Sequence, residues 1–369
     1  MTATRLRLSV CVLAVWAGAL SLARASVQTP GTSAGVSGLA PGWSLDGAWT
    51  GVAADEDSPT FYALGRGGRC VEVDSAGKIV RDLTLKQESG SLLRPARLDG
   101  TSRVALLAFT VWGRELHAYA VDGTRLWSYP GPGINDVWPA NVGGDKADEV
   151  IVGYNGSAGL HVLDAQGRLL WKTTEIGNVW HVAAGDLWGG SGSQVVTTSA
   201  AGLVHVFRNG ASRSVRLPVV REPPAPIVPM TYATMVRVGK AVKTDRAARI
   251  FVVGERPMNG PGPFTEHVVA LSLAGDKEWT LELPANTPRP HVDSAALASG
   301  RPWLAVGLRG GRVHVVDVAQ GTLVGTIENQ GTTPEVSWLR GGSTTPLLLV
   351  ATEAKLNTFS VATRPAAGR

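Results

Sequence analysis

The sequence predicts an all-β chain folded as a seven-bladed propeller of four-stranded antiparallel blades, closed by an N-terminal strand, and three observations carry that expectation. A short apolar run ending on a small residue recurs seven times: Phe61 to Gly65, Val104 to Ala108, Val150 to Gly153, Val195 to Thr198, Phe251 to Gly254, Leu304 to Gly307 and Leu348 to Ala351. The ends of these runs step by 43, 45, 45, 56, 53 and 44 residues, the length that four short strands and their turns occupy. A hairpin of fixed chemistry also recurs, as in Asp74 to Gly77 and Asp164 to Gly167, with variants at Val121 to Trp127 and Asp317 to Val324. In it Asp caps its own backbone and Gly supplies a positive φ.

Taken in order, residues 1–25 read as a signal peptide. Arg5 and Arg7 form a positive start, Leu8 to Leu22 is apolar but short for a membrane span, and Ala23-Arg24-Ala25 offers a cleavage site after Ala25. Cys11 lies inside the apolar stretch, so no lipid-anchoring cysteine follows it. The mature chain is therefore expected in the periplasm or outside the cell, without a transmembrane span. Residues 26–41, rich in Gly, Ser, Thr, Ala and Pro, read as a flexible linker. The propeller is expected over 42–363, and a disordered tail over 364–369.

The third unit is the clearest, with strands at Val137 to Ala140, Glu149 to Gly153, Gly159 to Asp164 and Arg168 to Trp171. The fifth is irregular, with Pro223 to Pro226 ahead of it and Pro257 to Pro263 inside it. Proline cannot donate to a ladder, so these segments are loops of the kind in which binding residues collect. The seventh unit, Trp338 to Val361, offers three strands; Gly42 to Trp49 is expected to supply the fourth and so remove the exposed edges.

Composition excludes several functions. The leader holds Arg5, Arg7 and Arg24 and no acidic residue, so its removal takes the formal charge from +5 to +2. With no Lys/Arg cluster along the mature chain, a nucleic-acid groove is not expected. Cys70 is the one cysteine left, so the mature chain can form no internal disulfide. No nucleophile motif, metal-binding helix or phosphate loop is present; Gly189 to Gly192 and Arg309 to Arg312 lie between strands, where no helix N-terminus could receive an anion.

The hairpin Leu163 to Trp171 resembles the repeats of quinoprotein-like propellers, which include quinone-dependent dehydrogenases and non-enzymatic scaffolds of outer-membrane assembly. Asn141 to Gly153 and Gly185 to Val196 are similar to FG-GAP repeats. The resemblance extends over Gly42 to Thr363 and implies fold alone, since such repeats serve enzymes, adhesins and scaffolds. The FG-GAP likeness implies a calcium loop, but Gly143 stands where a ligand is expected beside Asn141, Asp145 and Asp148, and Trp188 and Gly190 follow Asp186. The adjacent cysteine pair that many quinone dehydrogenases carry is missing. Neither a structural ion nor a cofactor is expected.

Five histidines, His117, His161, His205, His267 and His314, fall in the third strands of successive units, where one residue per blade sits on a wide circle and cannot converge on one ion. They are expected to pack between blades. His181 and His291 instead align in inner strands near the central channel, and the same register brings Arg94, Asp136, Trp138, Trp180 and Asp293 towards its mouth. This ring is the candidate ligand-binding site, with a hydrated channel lining as the alternative. Trp127, Trp171 and Trp279 follow hairpin turns in fourth strands and are expected at blade edges; Trp43, Trp49, Trp138, Trp180, Trp188 and Trp338 lie near first strands. The function expected is an exported, monomeric, non-catalytic scaffold that binds a protein or polysaccharide. The alternative is a lyase-like carbohydrate-active enzyme whose acid-base groups lie among Arg94, Asp136, His181, His291 and Asp293.

Overall fold

The computed structural model describes residues 27–28, 38–55, 58–87, 91–101, 103–190, 192–200, 202–208, 211–217, 231–240, 245, 248–257, 266–272, 276–284, 292–298, 300–328, 330–331, 335–339 and 346–361. The expected signal peptide and tail lie outside these residues, as do Pro223 to Pro226 and 258–263. Among the described residues every regular element longer than a single 3-10 turn is a β-strand, and all strand pairs are antiparallel.

Four-stranded units follow one another along the chain. Unit 1 runs through Trp49–Ala54, Thr60–Gly65, Arg69–Asp74 and Ile79–Thr84. Unit 2 has Leu92–Ala96, Ala105–Phe109 and Gly113–Ala120, and unit 3 has Glu149–Tyr154, Leu160–Leu163 and Leu169–Thr173. These two units share the 16-residue strand Arg125–Ala140. Its first half pairs with Gly113–Ala120 as the outer strand of unit 2, and its second half pairs with Glu149–Tyr154 as the inner strand of unit 3. The sequence reading separated these halves; Pro130 to Gly133, with Gly133 at φ +90, breaks the register between them, yet the strand continues through it and one seven-stranded sheet results.

Units 4 to 6 are Val179–Gly185, Gln194–Ser199, Val204–Arg208, Ala211–Leu217; then Thr231–Gly239, Arg249–Pro257, Glu266–Leu271, Lys277–Leu283; then Val292–Leu297, Trp303–Leu308, Arg312–Asp317, Thr322–Ile327. Unit 7 contains Glu335–Leu339, Leu347–Ala351 and Lys355–Val361, and its fourth strand comes from the other end of the chain. That strand is Leu39–Asp46, paired as Leu45 with Leu356, and not Gly42 to Trp49. Trp49 already opens unit 1, because Gly47 turns the chain at φ +141 and the amide of Trp49 bonds the carbonyl of Thr352 at 2.9 Å. The two-residue strand Val27–Gln28 pairs outside Leu39–Asp46.

The recurring apolar runs are the second strands. Trp303–Leu308 and Gln194–Ser199 are buried at every position, because neighbouring sheets cover both their faces and leave no solvent side to demand polar residues. Outer strands such as Lys277–Leu283 alternate instead, since one face meets water. Among the described residues the buried apolar side chains form seven clusters, each between two successive units, with Leu339, Leu349 and Leu356 of unit 7 packed against Val52, Phe61 and Val71 of unit 1. The first strand of each unit packs beside the first strand of the next, and Glu335–Leu339 beside Trp49–Ala54.

Tryptophans join units at the hairpins. The Trp127 indole N–H in unit 2 donates to the carbonyl of Ala165 in unit 3 at 2.9 Å, and Trp43 of Leu39–Asp46 donates to Ser75 of unit 1 at 2.9 Å. Each ring lies over the hairpin glycine: a Cβ on Gly167 would sit 2.6 Å from Trp127 Cδ2, and one on Gly77 2.7 Å from Trp43 Cδ2. Both glycines also have positive φ, so backbone and packing require the same residue. Trp279 of unit 5 lies on Gly321 of unit 6 in the same way.

The five third-strand histidines lie where the spacing put them. His161 bonds the Tyr129 hydroxyl of unit 2 at 3.0 Å. His314, fully buried, uses Nε2 to donate to the Pro284 carbonyl and Nδ1 to meet Thr326 Oγ1, both at 2.9 Å. Burial pushes its pKa from 6.5 down to about 4, so between these values the unfolded chain binds the proton more readily than the folded one. Stability from this group is complete above pH 6.5 and is lost as pH falls towards 4, by about 3 kcal/mol. His314→Gln is expected to flatten that part of the stability profile, measured as urea midpoints from pH 7.5 to 4; an unchanged slope would assign the acid sensitivity elsewhere.

Candidate functional site

Five ionisable side chains from the first strands of five units meet in the interior. Arg94 of unit 2 bonds Glu335 of unit 7 at 3.0 Å and lies 3.7 Å from Asp136 of unit 3. His181 of unit 4 meets Asp136 through Nδ1 at 3.1 Å. Arg237 of unit 5 stacks over Trp138 at 4.8 Å and donates Nε to the carbonyl of Ala295 in unit 6 at 2.6 Å. Arg94 can reach past unit 1 to Glu335 because unit 1 brings Gly51 against its backbone: a Cβ there would lie 2.8 Å from the amide nitrogen of Leu93.

Local backbone irregularity sets these positions. The first strands of units 1, 3, 4 and 6 each slip register by one residue, after Trp49, Ile134, Val179 and Val292. Such a bulge re-aims the side chains that follow it. After the slip, Asp136 stands opposite Gly153, His181 opposite Thr198 and Ser294 opposite Gly307. Ser294 is thus the register equivalent of His181, and the alignment of His291 with His181 is three residues out; His291 itself lies outside the described residues.

Charge is balanced within the cluster, two guanidiniums against two carboxylates. Asp136 is 2 % exposed. Burial alone would raise its pKa, but the His181 hydrogen bond and the His181, Arg94 and Arg237 charges outweigh it and hold the carboxyl below its ordinary value. It also accepts the amides of Val137 at 2.9 Å and Val182 at 3.2 Å. Glu335 goes the other way: burial raises its pKa, against the opposing pull of Arg94 and Arg237. Arg237 is lowered to about 10 by burial, with Asp136 opposing, and stays charged at neutral pH.

Of the residues expected at the channel mouth, the fold brings Arg94, Asp136, Trp138 and His181 together. Asp293 pairs instead with Arg309, 3.0 Å away in the same unit. Trp180 occupies the bulge position between Val179 and His181 and is half-buried. Arg237 and Glu335 were missed, although each is the single charge in an otherwise apolar or neutral inner-strand stretch, a pattern that demands a buried partner.

The expected calcium-type turns use their oxygens on the backbone: Asn141 accepts the amide of Gly144 at 2.6 Å, Asp145 that of Ala147 at 3.1 Å, Asp148 that of Arg97 at 2.7 Å and Asp186 that of Gly190 at 2.9 Å. The bonds of Asn141, Asp145 and Asp186 are local Asx caps and that of Asp148 ties the turn to unit 2; among the described residues no group of three or more His, Cys, Asp or Glu is placed to hold a metal ion. On the outer surface between units 1 and 2, an open cleft lined by Lys86, Glu115, His117 and Arg125 contains a Ser-His-Glu array, with His117 Nδ1 2.8 Å from Ser128 Oγ and Nε2 3.4 Å from Glu115. The same histidine-hydroxyl pair recurs as His314 with Thr326, so the array belongs to the repeat.

No family model matches the chain, and no curated protein matches it. Among the described residues no helix is long and apolar enough to cross a membrane.

Proposed function

We propose that the seven units are the blades of one closed propeller, exported by its leader, that binds a protein or polysaccharide through its loop faces without chemistry of its own. The cyclic succession of first strands and inter-unit cores supports the ring, and the pairing of Leu39–Asp46 with Lys355–Val361 supports closure by the N-terminal strand. The observation that carries the non-catalytic reading is the pairing of the central charges with one another. General acid-base work needs a group within hydrogen-bond reach of a substrate proton, and Arg94, Asp136 and Glu335 are turned to each other. They act as a polar keystone that fixes the relative rotation of the units.

One observation favours the second reading, a carbohydrate-active enzyme at the channel mouth. His181 is about a quarter exposed while its Nδ1 is held by a buried carboxylate, leaving Nε2 as the nitrogen able to exchange a proton with a ligand. Immobilised mature chain, challenged with a cell-envelope extract and with soluble polysaccharides, separates the two. The scaffold reading expects a retained partner, unchanged retention by His181→Ala, and no new reducing ends in the polysaccharides. Chain cleavage that disappears in His181→Ala while the melting temperature stays put would replace it with the enzyme.

A further inference from the structure

Trp112 stands apart from every other tryptophan described. It is 72 % exposed, the highest exposure among the large apolar residues described, with Val111 beside it at 45 %. Its backbone has φ +63, the left-handed region that a bulky side chain enters at a cost in free energy and that glycine or asparagine would occupy more easily. The turn holds it there: the amide of Trp112 bonds the carbonyl of Ile134 at 2.6 Å and that of Gly113 bonds Thr110 at 2.7 Å. Neither burial nor backbone preference accounts for an indole at this position. An outlier that the fold does not need points to use.

From these features we infer that Trp112 is a stacking platform for a neutral polysaccharide, an inference that rests on the binding-scaffold reading and names the ligand class. The surroundings select the class. Two segments join the turn through hydrogen bonds, Trp112 to Ile134 and Asn155 to Gly133 at 2.8 Å, and so form one surface with it. They present exposed Pro130, Pro132, Asn155 and Ser157, and no charged residue lies within 110–113, 130–134 or 155–158. A charged glycan or acidic peptide finds no counter-ion in these segments. The apolar area is one indole and one valine, far below the roughly 800 Å² a side that a stable protein partner buries. It matches the C–H face of one or two pyranose rings, whose hydroxyls can take hydrogen bonds from Asn155 and Ser157.

The test is titration of the mature chain with cellohexaose, chitohexaose and mannohexaose, followed by calorimetry and tryptophan fluorescence, with hexagalacturonate as the charged comparison. At least one neutral hexamer is expected to bind and to outcompete the charged one. Trp112→Ala should weaken that binding at least about tenfold, and Trp112→Phe less. Trp112→Asn should abolish it while melting no lower than the parent, because asparagine accepts the left-handed backbone. Absence of binding to all three neutral hexamers, binding unchanged in Trp112→Ala, or a Trp112→Asn variant that melts well below the parent would each overturn the inference. If the parent chain retains a protein from envelope extract while binding no glycan, the platform is wrong and the scaffold reading stands.

Discussion

Replacing Arg94 by methionine is expected to remove about 3–5 kcal/mol of stability at pH 7, the cost of leaving a buried charge without its partner. Glu335 loses its 3.0 Å ion pair and Asp136 one of its neighbouring cations, in a place where burial already raises the Glu335 pKa. Urea denaturation measures the loss. The second variant that sharpens the result is Arg94→Met with Glu335→Gln: removing both charges should recover a large part, because a neutral pair carries no uncompensated charge into the core. A loss below about 1 kcal/mol for the single variant would instead mean that the cluster is solvated, and the channel would return as a site open to ligands.

Trp43→Ala should cost about 3–5 kcal/mol, as truncation of a packed aromatic does. The indole stacks on Phe61 with centroids 6.0 Å apart, covers Gly77 and bonds the Ser75 carbonyl, so the substitution opens a joint between the strand from the N-terminal side and unit 1. Its effect should resemble that of removing residues through Asp46, and exceed that of removing residues through Ser37, which leaves Leu39–Asp46 in place. Thermal melts of the three chains decide it. Were Trp43→Ala and the Asp46 truncation to melt with the parent, closure by this strand would be wrong.

Second strands were the legible part of the fold, because a sheet covered on both faces writes its burial into the sequence as an unbroken apolar run. Boundaries at the sheet edges were not. Pro41 closed the stretch expected as linker, yet the strand begins at Leu39 and takes Pro41 in before a register shift between Pro41 and Ser44, as a strand can where no neighbour needs the missing donor; Val27–Gln28 pairs only with Ser44 and Leu45. At the centre, Arg94, Asp136 and His181 were visible as polar breaks in inner strands, whereas the alignment of His181 with His291 matched one His-Val pair to the other and not the bulges after Val179 and Val292, which put Ser294 at the place equivalent to His181. Arg237 sits in the irregular unit 5, and Glu335 begins its strand, so neither offered a repeat against which to be aligned. Trp112, in a two-residue turn, has no periodicity at all.

The strand Arg125–Ala140 ties two units into a continuous ladder of seven strands, from Leu92–Ala96 to Leu169–Thr173. Elsewhere among the described residues successive units are joined by side-chain packing and isolated backbone hydrogen bonds, such as Trp49 to Thr352 and Ser193 to Asn141; here the two share a backbone segment whose halves bond in opposite directions. Local opening of either unit strips partners from the other, so units 2 and 3 form one cooperative block for amide exchange and proteolysis. That block is also local in sequence, a compact nucleus on which the remaining units can assemble before the distant ends of the chain meet.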